Sequence, residues 1–233
     1  MSSSGSPPDV GVVIVAAGAG VRAGPGEPKQ FRPIAGVPLL LRALRPFTSH
    51  PAVTEVVVAL PAATAEHPPE WLARLAGERL VLVAGGATRA DSVKAGLAAL
   101  GREARVALVH DAARPFVSRE TIDAVIARAR AGVGALAAVP VSDTIKQVTA
   151  NVVTHTVARD GLWRAQTPQG FPRAMLEEAY GRLKGTEPPP TDDAELCERA
   201  GFPVEVVSDS TGNVKVTTNE DFRIAEALAR EWR

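Results

Sequence analysis

The sequence predicts an α/β fold, a doubly wound and mostly parallel β-sheet with helices on both faces. Three observations carry this expectation. Short apolar runs recur along the chain, and they are rich in Val with little polar alternation, as strands covered on both faces must be. Between them lie longer stretches in which apolar residues return at helical spacing. Strand and helix alternate, which implies right-handed crossovers joining parallel strands.

Taken in order, Met1 to Pro8 is Ser/Gly/Pro-rich, without a basic segment or an apolar leader, and reads as a tail rather than a signal peptide. Residues 9–233 are read as a single domain, a length that suits one α/β domain with an excursion. The strands expected are Val10–Ala16, Val53–Leu60, Leu80–Ala84, Val106–His110, Ala135–Val139 and Pro203–Val207. The helices expected are Leu39–Thr48, Ala65–Leu75, Ala90–Ala99, Arg119–Ala131, Arg173–Leu183, Asp192–Ala200 and Glu220–Glu231. Ser118 stands three residues before Thr121 as a cap, and Thr218-Asn219-Glu220-Asp221 puts acids into a first turn.

One segment departs from the alternation. Val141 to Trp163 is too polar for a core strand and too β-branched for a helix. Within it, 141–161 reads as a protruding β-arm, two extended strands about a turn near Ala150-Asn151. A lone hairpin is marginally stable, so the arm is expected to lean on a second copy of the chain in a homodimer.

Composition limits the function. Hydrophobic residues make up 45% of the chain, enough for a sizeable core, and aromatics only 4%, so the core must be aliphatic. Twenty-six acidic residues balance 26 basic ones, which argues against nucleic acid or an anionic membrane as the main partner. Cys197 is the single cysteine, so neither an internal disulfide nor a Cys-x-x-Cys site exists. No apolar run reaches about 18 residues, the length of a membrane span. The compartment expected is the cytoplasm.

The most informative stretch follows the first strand. Ala16-Ala17-Gly18-Ala19-Gly20-Val21-Arg22, closed by Pro28-Lys29-Gln30, ends an apolar strand in small residues and then supplies two cations. Glycines allow close backbone approach and turn N–H groups toward an anion, while Arg22 and Lys29 add charge. The pattern also fits the dinucleotide fingerprint G-x-G-x-x-A through Ala23. That motif needs a helix starting at the glycines, and Gly24-Pro25-Gly26-Glu27-Pro28 cannot continue one. A triphosphate loop is the better reading; a non-catalytic nucleotide- or NAD-binding module is the alternative.

Other strand ends add chemistry. Gly85-Gly86-Ala87-Thr88 with Ser92 suits close contact with a base or sugar, although Thr88 and Ser92 also serve as helix caps. His110-Asp111-Ala112-Ala113-Arg114-Pro115 places Asp111 where it can hold Mg²⁺ or a hydroxyl, unless Arg114 takes it as a salt-bridge partner. His110 is read as a packed or hydrogen-bonded strand residue. Only five of the 26 cationic side chains are lysines, and Lys29, Lys146 and Lys215 all fall in strand-end or loop motifs. Where arginine is so favoured, a loop lysine points to a site that wants a compact charge.

Together these motifs, with Asp143-Thr144-x-Lys146, Arg159-x-Gly161-Leu162-Trp163, Gln166-Thr167-Pro168-Gln169 and Asn213-x-Lys215-Val216-Thr217, resemble the 2-C-methyl-D-erythritol 4-phosphate cytidylyltransferase family. The resemblance runs from about Val10 to the C-terminus. It implies a Rossmann-like nucleotidyltransferase sheet, Mg²⁺, and dimers that exchange a β-arm. It implies that CMP passes from CTP to methylerythritol phosphate by in-line attack on the α-phosphate. Carried onto this chain, Arg22, Lys29 and Lys215 are the catalytic cations. Ala16, Ala17, Gly18, Gly20, Gly86, Ala87 and Ser92 bind CTP. Asp111, Arg114, Thr144 and Thr167 grip the acceptor, with Arg159 and Thr191 reaching in from the other subunit. Mg²⁺ is held mainly by CTP phosphates, with Asp111 nearby. The chain departs from the family pattern at Ala23, Ala87, Ala158 and Asp193. A ribitol 5-phosphate cytidylyltransferase shares the strand-end motifs and is the nearest alternative.

Overall fold

The computed structural model describes residues 8–18, 28–183 and 187–231. The first strand, β1 (Val10–Val15), leads through a 3₁₀ turn at Lys29–Phe31 to a small hairpin, β2 (Pro33–Ile34) and β3 (Val37–Pro38). Next come α1 (Leu39–Thr48), β4 (Val53–Leu60), α2 (Ala62–Glu66), α3 (Glu70–Ala73), β5 (Leu80–Ala84), α4 (Arg89–Ala99), β6 (Val106–Asp111), α5 (Arg119–Arg130) and β7 (Gly134–Pro140). The excursion is β8 (Ile145–Thr149) and β9 (Val152–Val157). The chain then returns through β10 (Trp163–Pro172), α6 (Arg173–Arg182), α7 (Asp193–Arg199), β11 (Val204–Ser208) and α8 (Asn219–Glu231).

Seven strands form one sheet in the order β11-β7-β10-β6-β1-β4-β5. All of its pairings are parallel except those of β10, which runs against both β6 and β7. The sheet is thus mostly parallel and mixed, as expected, with one reversed strand. The chain builds β1, β4 and β5 outward in one direction, then crosses back to lay β6 on the other side of β1. That reversal leaves the carboxyl ends of β1 and β6 side by side, with Val15 opposite Asp111. Ligands in such sheets gather at this switch point.

The sheet is buried on both faces because its strands are apolar on both. Val12 and Ile14 of β1 pack with Leu40, Leu44 and Phe47 of α1 and with Ile122, Val125 and Ile126 of α5. Val13 faces the other way, toward Val93 and Leu97 of α4, Leu176 and Tyr180 of α6, and Leu196 and Cys197 of α7. Gly11 shares that second face because a Cβ there would lie 2.7 Å from Leu100 Cδ2, inside contact distance. A third cluster joins Phe222 and Ala225 of α8 to Ile34 and Val216. Each fully buried aliphatic side chain of this kind contributes about 1.5–3 kcal/mol.

The helix caps follow the sequence. Thr88 and Asp91 form a reciprocal capping box on α4, and Ser118 Oγ accepts from the Thr121 amide on α5. Asp192 caps α7, and Thr218 Oγ1 accepts from the Asp221 amide at the start of α8. The helix expected over Ala65–Leu75 is instead two short ones, α2 and α3, because Pro68 and Pro69 stand between them. The largest difference is β10, which polar residues and prolines disguise as a loop. Its ladder is interrupted between Ala165 and Gln169, and Pro168 sits in that interruption, where a missing N–H breaks no ladder bond.

In the arm, Thr149 pairs with Val152 across Ala150 and Asn151, both at positive φ (47° and 65°), which is the two-residue hairpin turn. Its faces are open: Val148, Val152 and Val153 are 52%, 66% and 56% exposed in the single chain. The second sheet, β8 with β9, has no hydrogen-bonded neighbour strand among the described residues.

Candidate active site

A cavity of about 330 Å³ opens at the switch point. Its wall includes Ala16, Ala17 and Gly18 after β1, Lys29 from the 3₁₀ turn, and Gly86, Ala87, Thr88, Arg89 and Ser92 from the start of α4. Asp111 at the end of β6 and Lys215 from the loop before α8 complete it. Lys29 and Lys215, far apart in sequence, thus face one space. Gly20 and Arg22 lie outside the described residues.

The glycine-rich turn before α4 is tied to its helix. Ser92 Oγ accepts from the Gly86 amide at 3.2 Å and donates to the Thr88 carbonyl at 3.0 Å. A methyl at Gly86 would overlap the Cβ of Asp91, so this backbone can lie close to the helix and face the cavity only without a side chain. What the turn presents to the cavity is mainly main-chain polar groups.

Among the described residues, Asp111 is the one acidic residue on the cavity wall. Its Oδ2 lies 2.6 Å from Lys215 Nζ and its Oδ1 3.5 Å from Arg89 Nε. Burial works against its charge, yet Lys215 and then Arg89 hold the carboxyl far below the ordinary range. The ion pair with Arg114 that adjacency allowed does not form. Arg114 NH1 donates instead to the Asn213 carbonyl at 2.7 Å, and NH2 to the Ala165 carbonyl at 3.4 Å. Burial lowers the Arg114 pKa, and the residue braces the loop that carries Lys215.

Beneath the cavity a hydrogen-bond chain fixes β6 against β10. His110 is fully buried, with Nε2 2.9 Å from the Arg114 carbonyl oxygen, which can only accept. The proton therefore sits on Nε2, and Nδ1 accepts from the Thr167 hydroxyl 3.0 Å away. Thr167 Oγ1 in turn accepts from the Asp111 amide at 3.1 Å. Burial pushes the imidazole pKa down to about 4, overriding the Arg114 carbonyl and Asp111 that favour protonation. His110 is thus the hydrogen-bonded strand residue expected of it.

Arg114, Thr144, Arg159, Thr167 and Thr191 are not on the wall of this cavity within one chain. Thr167 is buried, and its hydroxyl proton is committed to His110. Thr191 Oγ1 donates to Glu195 Oε2 at 2.7 Å, the main reason the Glu195 pKa is lowered to about 2. Thr144 and Arg159 lie at the root of the arm, both exposed, and Arg159 donates to the Ser142 carbonyl.

Arg89 is a cavity residue to which the sequence reading gave no role. Besides Asp111 it reaches Asp193 Oδ2 at 2.8 Å. The only signal for it in the sequence was its place between Gly86 and Ser92; its partners lie 22 and 104 positions away. No cluster of three or more His, Cys, Asp or Glu side chains suited to a metal ion occurs among the described residues. A carboxylate such as Asp111 in a cavity that also holds Lys29, Arg89 and Lys215 nevertheless suits Mg²⁺ carried in on phosphates, since that ion keeps few protein ligands.

Comparison with known proteins agrees with this architecture. The family model described as "IspD: 2-C-methyl-D-erythritol 4-phosphate cytidylyltransferase" matches residues 10–231. A curated relative from Salinibacter ruber, named 2-C-methyl-D-erythritol 4-phosphate cytidylyltransferase, is 42% identical over 95% of this chain and 93% of its own length. A bifunctional IspD/IspF enzyme from Desulfotalea psychrophila is 39% identical over 94% of this chain, but the chain spans only 56% of that relative. The crystal structure of 2-C-methyl-D-erythritol 4-phosphate cytidylyltransferase from Thermus thermophilus superposes with a TM-score of 0.81 at 36% identity, over 95% of this chain and 99% of that one. Its α/β nucleotidyltransferase fold is the fold seen here.

Proposed function

The chain belongs to the 2-C-methyl-D-erythritol 4-phosphate cytidylyltransferase family, and from that membership we infer that it transfers CMP from CTP to 2-C-methyl-D-erythritol 4-phosphate and releases pyrophosphate. The observation that carries the mechanism is that Lys29 and Lys215 open onto one cavity, which the glycine turn also lines and where Lys215 meets Asp111.

A phosphate oxygen of the acceptor attacks the α-phosphorus of CTP. The new P–O bond forms as the bond to the bridging oxygen breaks, and that electron pair leaves with pyrophosphate. No base is needed, because the attacking phosphate is ionised near pH 7. Two anions must meet, so charge neutralisation and alignment supply the catalysis. Lys29, together with Arg22, grips the β- and γ-phosphates, and Lys215 sits between the α-phosphate and the attacking phosphate. Ala16, Ala17, Gly18, Gly20, Gly86, Ala87 and Ser92 receive the nucleotide, largely through main-chain groups. Asp111 faces the acceptor. Mg²⁺ fits this arrangement: triphosphate oxygens and Asp111 would hold it, and it would neutralise phosphate charge.

Arg114 and Thr167 act on the acceptor from beneath, by fixing the loop of Lys215 and the backbone of Asp111. Thr144 and Arg159 stand at the root of an arm whose exposed valines need cover. A second copy supplies that cover, in a homodimer through arm exchange, and brings Arg159 and Thr191 to the neighbouring site. CTP dependence supports a cytoplasmic location, where nucleoside triphosphates are available.

Pyrophosphate release with CTP, Mg²⁺ and either methylerythritol phosphate or ribitol 5-phosphate tests this reading. Release with the first acceptor alone is expected. Preference for the ribitol compound would move the activity to the alternative acceptor, and no release with either would leave a nucleotide-binding module.

A further inference from the structure

Asp193 is the least explained charge near the site. Its side chain is fully buried at the start of α7, where a carboxylate is costly unless it is paired. Three elements converge on it. Tyr180 of α6 donates its hydroxyl to Oδ1 at 2.6 Å. Gln169 of β10 accepts from the Asp193 and Ala194 amides, both at 3.0 Å, which fixes the first turn of α7. Arg89 approaches Oδ2 to 2.8 Å as an ion pair, and that oxygen receives no directed hydrogen bond.

Arg89 is shared between two carboxylates, and unequally. It stands nearer Asp193 (2.8 Å) than Asp111 (3.5 Å), while Asp111 is closest to Lys215 (2.6 Å). The order Tyr180, Asp193, Arg89, Asp111, Lys215 is an alternating chain of charges and dipoles that runs from α6 into the cavity. A guanidinium and a carboxylate left alone close into a two-bonded fork. Without the Asp193 charge, the only carboxylate on the cavity wall open to Arg89 among the described residues is Asp111. Arg89 would then swing into the cavity and take the lone pairs that hold Lys215.

We propose that Asp193 is a positioning residue for the transfer: it draws Arg89 back from Asp111, and so leaves Asp111 to set the ammonium of Lys215. The inference rests on the reading of Lys215 as the cation of the transferring phosphates. It also gives a role to Tyr180, whose hydroxyl holds Asp193 in place.

Turnover of Asp193→Asn, Tyr180→Phe and Lys215→Ala, singly and with Lys215→Ala combined with each of the others, tests it. Asp193→Asn is expected to lower kcat about tenfold with the KM for CTP changed less than about twofold, the sign of an interaction realised in the transition state. Tyr180→Phe is expected to lower kcat about threefold, as loss of one hydrogen bond to a charge that other contacts still hold. In the Lys215→Ala background each further fall should be under about twofold, because residues acting as a unit are not additive. An equal fall in both backgrounds, or kcat unchanged in a folded Asp193→Asn, overturns the proposal. Should Asp193→Asn not fold, Tyr180→Phe decides by the same comparison. If Lys215→Ala alone retains the parent's turnover, the reading of Lys215 falls and this proposal with it. If Lys215→Ala is crippled and the other two variants are not, only the proposal falls.

Discussion

Acidification should unlock the core of this protein at His110, and the size of the effect follows from the structure. The imidazole is fully buried, its Nε2–H is committed to the Arg114 carbonyl, and its Nδ1 accepts from Thr167. Burial holds its pKa near 4 against an ordinary value of 6.5. Between those values the unfolded chain binds a proton that the folded chain does not. The contribution is therefore fully present above pH 6.5 and is lost as the pH falls toward 4. Each pH unit of that gap is worth about 1.4 kcal/mol, so about 3 kcal/mol is at stake, of which about 2 kcal/mol disappears between pH 7 and 5. Urea unfolding at both pH values, with a chelator present, measures it. His110→Gln, which keeps a donor for the Arg114 carbonyl but cannot titrate, should lose about 2 kcal/mol less over the same interval. Asp111 titrates only in more acid solution, so it cancels in the comparison. An identical pH dependence in the two proteins would refute the reasoning.

Four further outcomes are expected. Lys29→Ala and Lys215→Ala should each lower kcat about 100-fold, since each removes charge that stabilises the transition state; turnover within about threefold of the parent would remove that residue from its role. Arg159→Ala should chiefly raise the KM for the sugar phosphate, and an unchanged KM would place it outside the site. Gly86→Ala should raise the KM for CTP about tenfold or more, because the new methyl overlaps Asp91 and moves the turn; a parent-like KM would show that the turn does not touch the nucleotide. Deleting Val148–Asn151 should abolish the dimer in light scattering, and an unchanged dimer would release the arm from that duty.

Much of the fold was legible because β1, β4, β5, β6 and β7 announce themselves as apolar runs, and the structure moves their ends by only a residue or so. β11 is displaced by one residue, to Val204–Ser208. β10 was not legible. Its inner stretch, Gln166-Thr167-Pro168-Gln169, is polar and broken by proline, yet all four residues are buried. Burial is tolerated because most of their side-chain polar atoms find internal partners: Gln166 Nε2 the Asn213 carbonyl, Thr167 His110 and the Asp111 amide, Gln169 the start of α7. Local pattern cannot report bonds made across such separations. The site divides in the same way. Lys29 and Lys215 stood out because lysine is scarce in this chain and both lie in loop motifs. Arg89 and Asp193 carried no such mark, since arginines and aspartates are common here and the pair meets only when α4 and α7 are both in place. Arg114 looked like a partner for Asp111, but a neighbour in sequence lost to two backbone carbonyls.

The reversed strand has a consequence for how the polypeptide must assemble. β6 and β7 are successive strands in the chain but do not pair, because residues 163–172 lie between them in the finished sheet. While the nascent protein lengthens, the flank of β6 that β10 will cover waits with its amides and carbonyls unclaimed, and β7 has no neighbour through which to join the sheet. Closure of the catalytic crevice is thus deferred until the last third of translation, and long-range pairing of this kind is slow and exposes an adhesive edge meanwhile. A ribosome stalled before residue 163 would hold a half-sheet prone to sticking to its neighbours.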